Sequence, residues 1–172
     1  GVIASSYDSS FFAEESDAAA LLKNIKAIQK DNDIKGIIIK LNTPGGTVGM
    51  SQNIYNAVMK LRKTKPVVVV IDDVAASGGY YVALAADSIY ANRNTITGSI
   101  GVIAGQFIDA TELLDKVGIK TATVHSGKNK LMGHMTEKFT QEQLDIMQTL
   151  CVFLQAIRKD RFQYNIHQVF QI

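Results

Sequence analysis

Pro66-Val67-Val68-Val69-Val70-Ile71-Asp72-Asp73-Val74-Ala75-Ala76-Ser77-Gly78-Gly79-Tyr80-Tyr81 is the stretch on which the fold turns. Pro66 opens an apolar, β-branched run from Val67 to Ile71. An almost unbroken run of this kind reads as a strand buried on both faces, as in a parallel sheet. The chain then turns at Ala75-Ala76-Ser77-Gly78-Gly79 and enters a helix of small residues from about Tyr80 to Ala86. Upstream, Ile34 to Leu41 is a second such run, and Asn42-Thr43-Pro44-Gly45-Gly46 closes it as a sharp turn.

Helical spacing fills the gaps between the runs. Ala18, Leu21, Leu22, Ile25 and Ile28 form one apolar stripe, with Ser16 or Asp17 as its cap, and Met50, Ile54, Ala57, Val58 and Leu61 form another. Ile89 to Ala91, Ser99 to Ile103 and Lys120 to Val124 read as short strands, and Asp109 caps a helix carrying Leu113, Leu114 and Val117. Thr140 and Gln143 have capping-box spacing and open a long helix through Leu144, Met147, Leu150, Cys151, Leu154 and Ile157. Strands that alternate with helices over short connections predict an α/β fold with a mostly parallel sheet and flanking helices. The 172 residues carry no repeat, low-complexity tract or linker and are read as a single domain over 1–172.

Composition narrows the function. Lys+Arg 18 against Asp+Glu 16 leaves a net charge of +2, which gives no footprint for nucleic acid. One cysteine, Cys151, excludes an internal disulfide framework and a cysteine-rich zinc site, and no His-Glu-x-x-His appears. The stretch Asn94 to Ile108, without Asp, Glu, Lys or Arg, is 15 residues, too short to span a bilayer as a helix. No cofactor motif is found: the glycine-rich turns lack a following Gly-Lys-Ser/Thr, and no Gly-x-Gly-x-x-Gly stands between a strand and a helix.

Ser77 is the candidate nucleophile. At a strand-to-helix turn it sits where free N–H groups and the positive end of the helix favour a developing oxyanion. The Gly78 N–H is a natural donor, and Gly46, on the turn after the preceding strand, is placed to supply a second. A plain tight turn is the alternative for either segment taken alone. A serine nucleophile also needs a base. His125, just after a strand, is the best of the three histidines; His134 and His167 lie in polar or terminal surroundings. Lys128 and Lys130 in His125-Ser126-Gly127-Lys128-Asn129-Lys130 are the other candidates, because loops at the strand C-termini of a parallel sheet converge on one edge.

Four segments together resemble the signal peptide peptidase A family of serine proteases: Leu41 to Gly46, Val74 to Tyr81, Thr97 to Ile103 and Ser126 to Lys130. The resemblance implies a Clp protease or crotonase-like fold. It matches Ser77 to the nucleophile, and Lys130, 53 positions on, to the general base. It matches Ser99 to the serine that orients the lysine, and the N–H groups of Gly46 and Gly78 to the oxyanion hole. Lys128 is out of step with the pattern and is left as a surface lysine. The family further implies remnant signal peptides and other small or unfolded peptides as substrates, a homo-oligomer, and no cofactor. It implies an anchor at the cytoplasmic membrane with the catalytic part facing outward. Against it, the chain is expected to lack the N-terminal anchor and part of the C-terminal segment, Arg161 to Ile172 departing from the family pattern; separately, Leu131 stands after Lys130 where many relatives carry a small polar residue. The alternatives are a capsid-processing peptidase, a Clp-like Ser-His-Asp peptidase, an acyl-CoA-binding crotonase-like protein and a non-catalytic scaffold. The Clp-like triad is disfavoured because no histidine lies between Ser77 and His125.

Overall fold

The computed structural model describes residues 1–4, 17–165 and 169–171, so the Ser16 cap and His167 lie outside the described residues. Two compact units are present, residues 1–101 with 156–172, and residues 102–155.

The first unit holds the sheet. In chain order it runs α1 (Asp17–Lys30), β1 (Ile37–Thr43), α2 (Val48–Leu61), β2 (Val67–Ala76), α3 (Gly78–Ala83), β3 (Ser88–Ala91) and β4 (Ile96–Gly98). β5 (Val169–Gln171) returns to it at the end of the chain. Every pairing is parallel. The order is β1-β2-β3-β5, and β4 pairs β2 beyond the end of β3. β2 is therefore the axis of the unit: Val68–Ile71 pairs β3, Val74–Ala76 pairs β4, and β1 runs along its other edge.

The β2 strand is longer than the apolar run suggests. It passes through Asp72 and Asp73 and ends only at Ala76. The two aspartates are accommodated at an irregularity where Leu41 faces Ile71 but Thr43 faces Ala75. There Asp72 pairs with Lys40 at 2.8 Å and Asp73 accepts from Asn42 Nδ2 at 3.0 Å. The Asp72 partnership, first by hydrogen bond and then by charge, raises the Lys40 ammonium above its ordinary range.

Burial on both faces is not what the first run shows. β1 buries Ile39, Leu41 and Thr43 but leaves Ile38 73% exposed. One face of the sheet meets the helices: Ile39, Leu41, Val69 and Ile71 join Ala18 and Ile25 of α1, Ile54 and Val58 of α2, and Tyr81 and Val82 of α3 in one core. β1 is also an edge strand, and its alternation is that of a half-covered sheet. Arg62 locks the helices to the sheet. Its Nε donates to Asp87 Oδ1 at 2.7 Å while Asp87 Oδ2 accepts the Val67 N–H at 2.8 Å.

The strand expected at Ser99–Ile103 lies upstream, at Ile96–Gly98. Thr95 and Thr97 stitch this region to β2 by donating to the carbonyls of Asp72 (2.7 Å) and Ala75 (2.9 Å). Gly98 (φ 97°) and Ser99 (φ 51°) then take the left-handed region and end the strand.

The second unit holds α4 (Thr111–Lys116) and the first part of α5 (Gln141–Asn165). Asp109 accepts the Thr111 N–H at 3.0 Å, as a capping residue does, although the helix begins one residue later than a direct cap requires. The capping box at α5 forms: Gln143 N–H donates to Thr140 Oγ1 and Thr140 N–H to Gln143 Oε1, each at 3.3 Å. Lys120–Val124 is not a strand. Among the described residues it has no ladder partner, its residues are all exposed, and β propensity without a neighbouring strand stabilises nothing.

Candidate active site

Three backbone segments of the first unit meet at Ser77. β2 delivers it, since its last residue, Ala76, pairs with Gly98 of β4. Ser77 then turns sharply with φ 50° and ψ −117°, and α3 begins at Gly78. Ser77 and Ser99 are the two residues other than glycine with positive φ among the described residues. Such a conformation costs on the order of 1–3 kcal/mol and persists only where the surroundings enforce it. At Ser77 the enforcement is visible. Its N–H donates to the Gly98 carbonyl at 2.8 Å and its carbonyl accepts the Tyr81 N–H at 3.0 Å. A strained serine on a strand-to-helix turn presents its Oγ at the end of the sheet. Ser77 itself is half-buried.

The Pro44-Gly45-Gly46 turn lies against this corner. Gly45 has φ 106°, and a Cβ there would meet Ala76 O at 2.8 Å and the Gly78 nitrogen at 2.9 Å. Only glycine allows the two loops to approach so closely. Thr43 holds the turn from below, its Oγ1 accepting the Gly45 N–H at 3.1 Å. Ile3 pairs with the turn from the other side: its N–H donates to Gly45 O and its carbonyl accepts the Thr47 N–H, both at 2.8 Å. That pattern leaves the Gly46 N–H on the face opposite Ile3, and the Gly46 nitrogen is 3.4 Å from the point a Gly78 Cβ would occupy. Two backbone donors, Gly46 and Gly78, thus stand beside one serine. The Ser77 N–H, spent on Gly98, is not available as a third.

Ser99 follows Gly98 directly, so the β2–β4 pairing brings both serines to the same strand ends; Ser99 is exposed. Lys130 lies in the second unit, on an exposed turn where its N–H donates to Gly127 O at 3.2 Å. It does not follow a strand, contrary to the reading that grouped it with Gly46 and Ser77. Lys128 pairs with Glu142 on the surface. His125 and His134 are exposed and hydrogen-bond locally, to Gly127 O and Thr136 Oγ1. Among the described residues no group of His, Cys, Asp or Glu is arranged to hold a metal. Burial pushes the Tyr80 phenol above its ordinary range, in keeping with the apolar packing under α3.

Two residues of the corner were not singled out from the sequence. Thr43 is 5% exposed and Ser51 is wholly buried. Their signal was faint: a small polar residue at an apolar position, next to a glycine turn.

Residues 59–161 match the family described as Peptidase family S49. The chain belongs to that family. Its likeness to signal peptide peptidase A, expected from the four segments, is borne out by its relatives. It is 34% identical over 168 residues to the Enterococcus faecium protein named "Putative signal peptide peptidase SppA", covering 94% of this chain and 48% of that one. It is 36% identical over 132 residues to the Arabidopsis thaliana "Serine protease SPPA, chloroplastic", covering 76% of this chain and 19% of that one. The chain thus spans about half or less of the length of these curated relatives. Among solved structures it resembles a ClpP1 mutant from Listeria monocytogenes with a TM-score of 0.56 at 16% identity, over 88% of this chain and 66% of that one. The S49 chain accordingly has the Clp protease fold, as the four segments implied.

Proposed function

We propose that this S49 chain is a serine peptidase working through a Ser77–Lys130 dyad. The observation that carries the reading is the strained Ser77 corner with the Gly46 and Gly78 N–H groups beside it. Neutral Lys130 takes the proton from Ser77 Oγ as that oxygen bonds to the peptide carbonyl carbon. The carbonyl oxygen becomes the oxyanion and is met by the two glycine N–H groups, already fixed before substrate arrives. The C–N bond then breaks, Lys130 returns its proton to the leaving amine, and water hydrolyses the ester on Ser77. Ser99 orients Lys130 by a hydrogen bond. The assignment of Lys130 rests on its place in Ser126-Gly127-x-x-Lys130, inside the stretch that matches the family.

Substrates are remnant signal peptides and other small or unfolded peptides, a reading supported by the name of the Enterococcus relative. The chain acts as a homo-oligomer, on the analogy of the Clp-like fold. It is attached to the cytoplasmic membrane, facing outward, through a segment outside this sequence; no described helix is long and apolar enough to cross a membrane.

Intact mass after treatment with a serine-reactive phosphonate tests the reading. One adduct on the wild type, absent from Ser77→Ala and Lys130→Ala, is expected. A wild-type chain that takes no adduct, or a Ser77→Ala chain that still takes one, overturns it.

A further inference from the structure

We infer that Ser51 is a positioning residue that sets the separation of the two oxyanion donors, a role that rests on the reading of Gly46 and Gly78 above. Ser51 lies in the first turn of α2, and it is wholly buried. Its hydroxyl donates to the carbonyl of Thr47 at 2.8 Å. Thr47 is the residue after Gly46, so this bond ties Ser51 to the loop that carries the first donor. On its other side Ser51 touches the residue that carries the second. A Cβ built on Gly78 would come within 3.2 Å of the Ser51 Cβ and far closer to its Oγ, which lies 2.3 Å from that point. The same point is 3.4 Å from the Gly46 nitrogen. One small side chain is thus hydrogen-bonded to one donor loop and packed on the Cα of the other donor.

The size of Ser51 matters as much as its hydroxyl. A larger side chain would push on Gly78, whose backbone has nowhere to go without moving Ser77. Alanine would keep the space and the Ser51 N–H bond to Thr47 O at 3.1 Å but would remove the hydroxyl's bond to that carbonyl, so the Gly46 turn would lose one restraint while Ile3 and Thr43 still hold it. Oxyanion donors act on the transition state more than on bound substrate, so a displaced donor lowers kcat and leaves KM nearly unchanged. A serine that bonds back to the carbonyl four residues earlier is common in helices, and a purely helical role would alter stability alone.

The experiment compares wild type, Ser51→Ala and Ser51→Val in the full chain. It reads the second-order rate of phosphonate labelling, kcat and KM on an apolar peptide, and the melting temperature. Removing an oxyanion donor outright costs about 10²–10³ in rate, so partial displacement should cost about tenfold in Ser51→Ala and more in Ser51→Val. The loss should fall on kcat and on labelling, with KM within about twofold of the wild type. Ser51→Ala that melts as wild type does but is slower supports the inference. Ser51→Ala and Ser51→Val that fold, with labelling rates and kcat equal to wild type, overturn it while leaving the Ser77 reading intact. A wild type that takes no label overturns both.

Discussion

The two units differ in what holds them. Among the described residues, 1–101 contain every buried residue of the core, from Ile3 through Leu61, Val67 and Leu84 to Ala91. Residues 102–155 contain none: Ile103 is 88% exposed and Val124 fully so. Ser77, Ser99, Gly46 and Gly78 belong to the first unit, and Lys130 to the second. The proposed nucleophile and its proposed donors are therefore built into a packed sheet, where moving one backbone group disturbs a core. The proposed base is carried on an exposed turn. A serine corner needs strain, and strain needs a rigid surround. A lysine base needs reach, which a turn can give, and a lowered proton affinity, which takes burial or a neighbouring cation.

The sharpest break of this contrast is chemical. Lys130→Ala should abolish about 10³-fold or more of peptidase activity, as loss of a catalytic base does, with the melting temperature unchanged because the side chain is exposed. Parallel turnover and melting curves check it; a fall in melting temperature would mean that Lys130 also holds structure. Next comes the core. Leu61→Ala, at a wholly buried site, should cost about 2–5 kcal/mol in urea unfolding, whereas Val124→Ala should stay within about 0.5 kcal/mol. Equal costs would erase the distinction between the units.

Gly45→Ala tests whether the corner is as tightly held as the distances imply. It forces a side chain into a φ of 106° and onto the Ala76 carbonyl. It should cost about 1–3 kcal/mol of stability together with most of the phosphonate labelling. The smallest effect belongs to Asp109 in the second unit. The Thr111 hydroxyl, and then the Thr111 N–H, hold its carboxyl below the ordinary range. A carboxylate whose folded pKa is depressed adds stability above its unfolded pKa of about 3.9 and loses it as pH falls through the folded value. Asp109→Asn should therefore narrow slightly the stability difference between neutral pH and pH 3, as read by thermal melts at both.

Much of the fold was legible because periodicity reports burial. The stripes of α1 and α2 and the runs of β1 and β2 appear where the spacing places them. The capping box at Thr140 and Gln143 is a local pattern and forms locally. Misreadings occurred where a distant partner decides. The Asp72–Ala76 half of β2 looks like a loop by composition, but β4 pairs with its end. Lys120–Val124 looks like a strand by composition, and no neighbour among the described residues makes it one. At the site, Ser77, Gly46 and Gly78 were visible as glycine-flanked turns after strands. Ser51 and Thr43 were not, since a buried small polar residue has no signature until its contacts are known.

The sequence by itself determined the alternation of strands and helices, the positions of the glycine turns and the residue types at the corner, because these follow from side-chain burial and backbone sterics within a few neighbours. Only the tertiary structure decided which turns meet. That depends on β2 pairing with β1 on one edge and β4 on the other, which brings Gly46, Ser77 and Ser99 to the same strand ends across more than fifty residues of chain. Parallel pairing is a long-range hydrogen-bonding choice, and no local pattern encodes it.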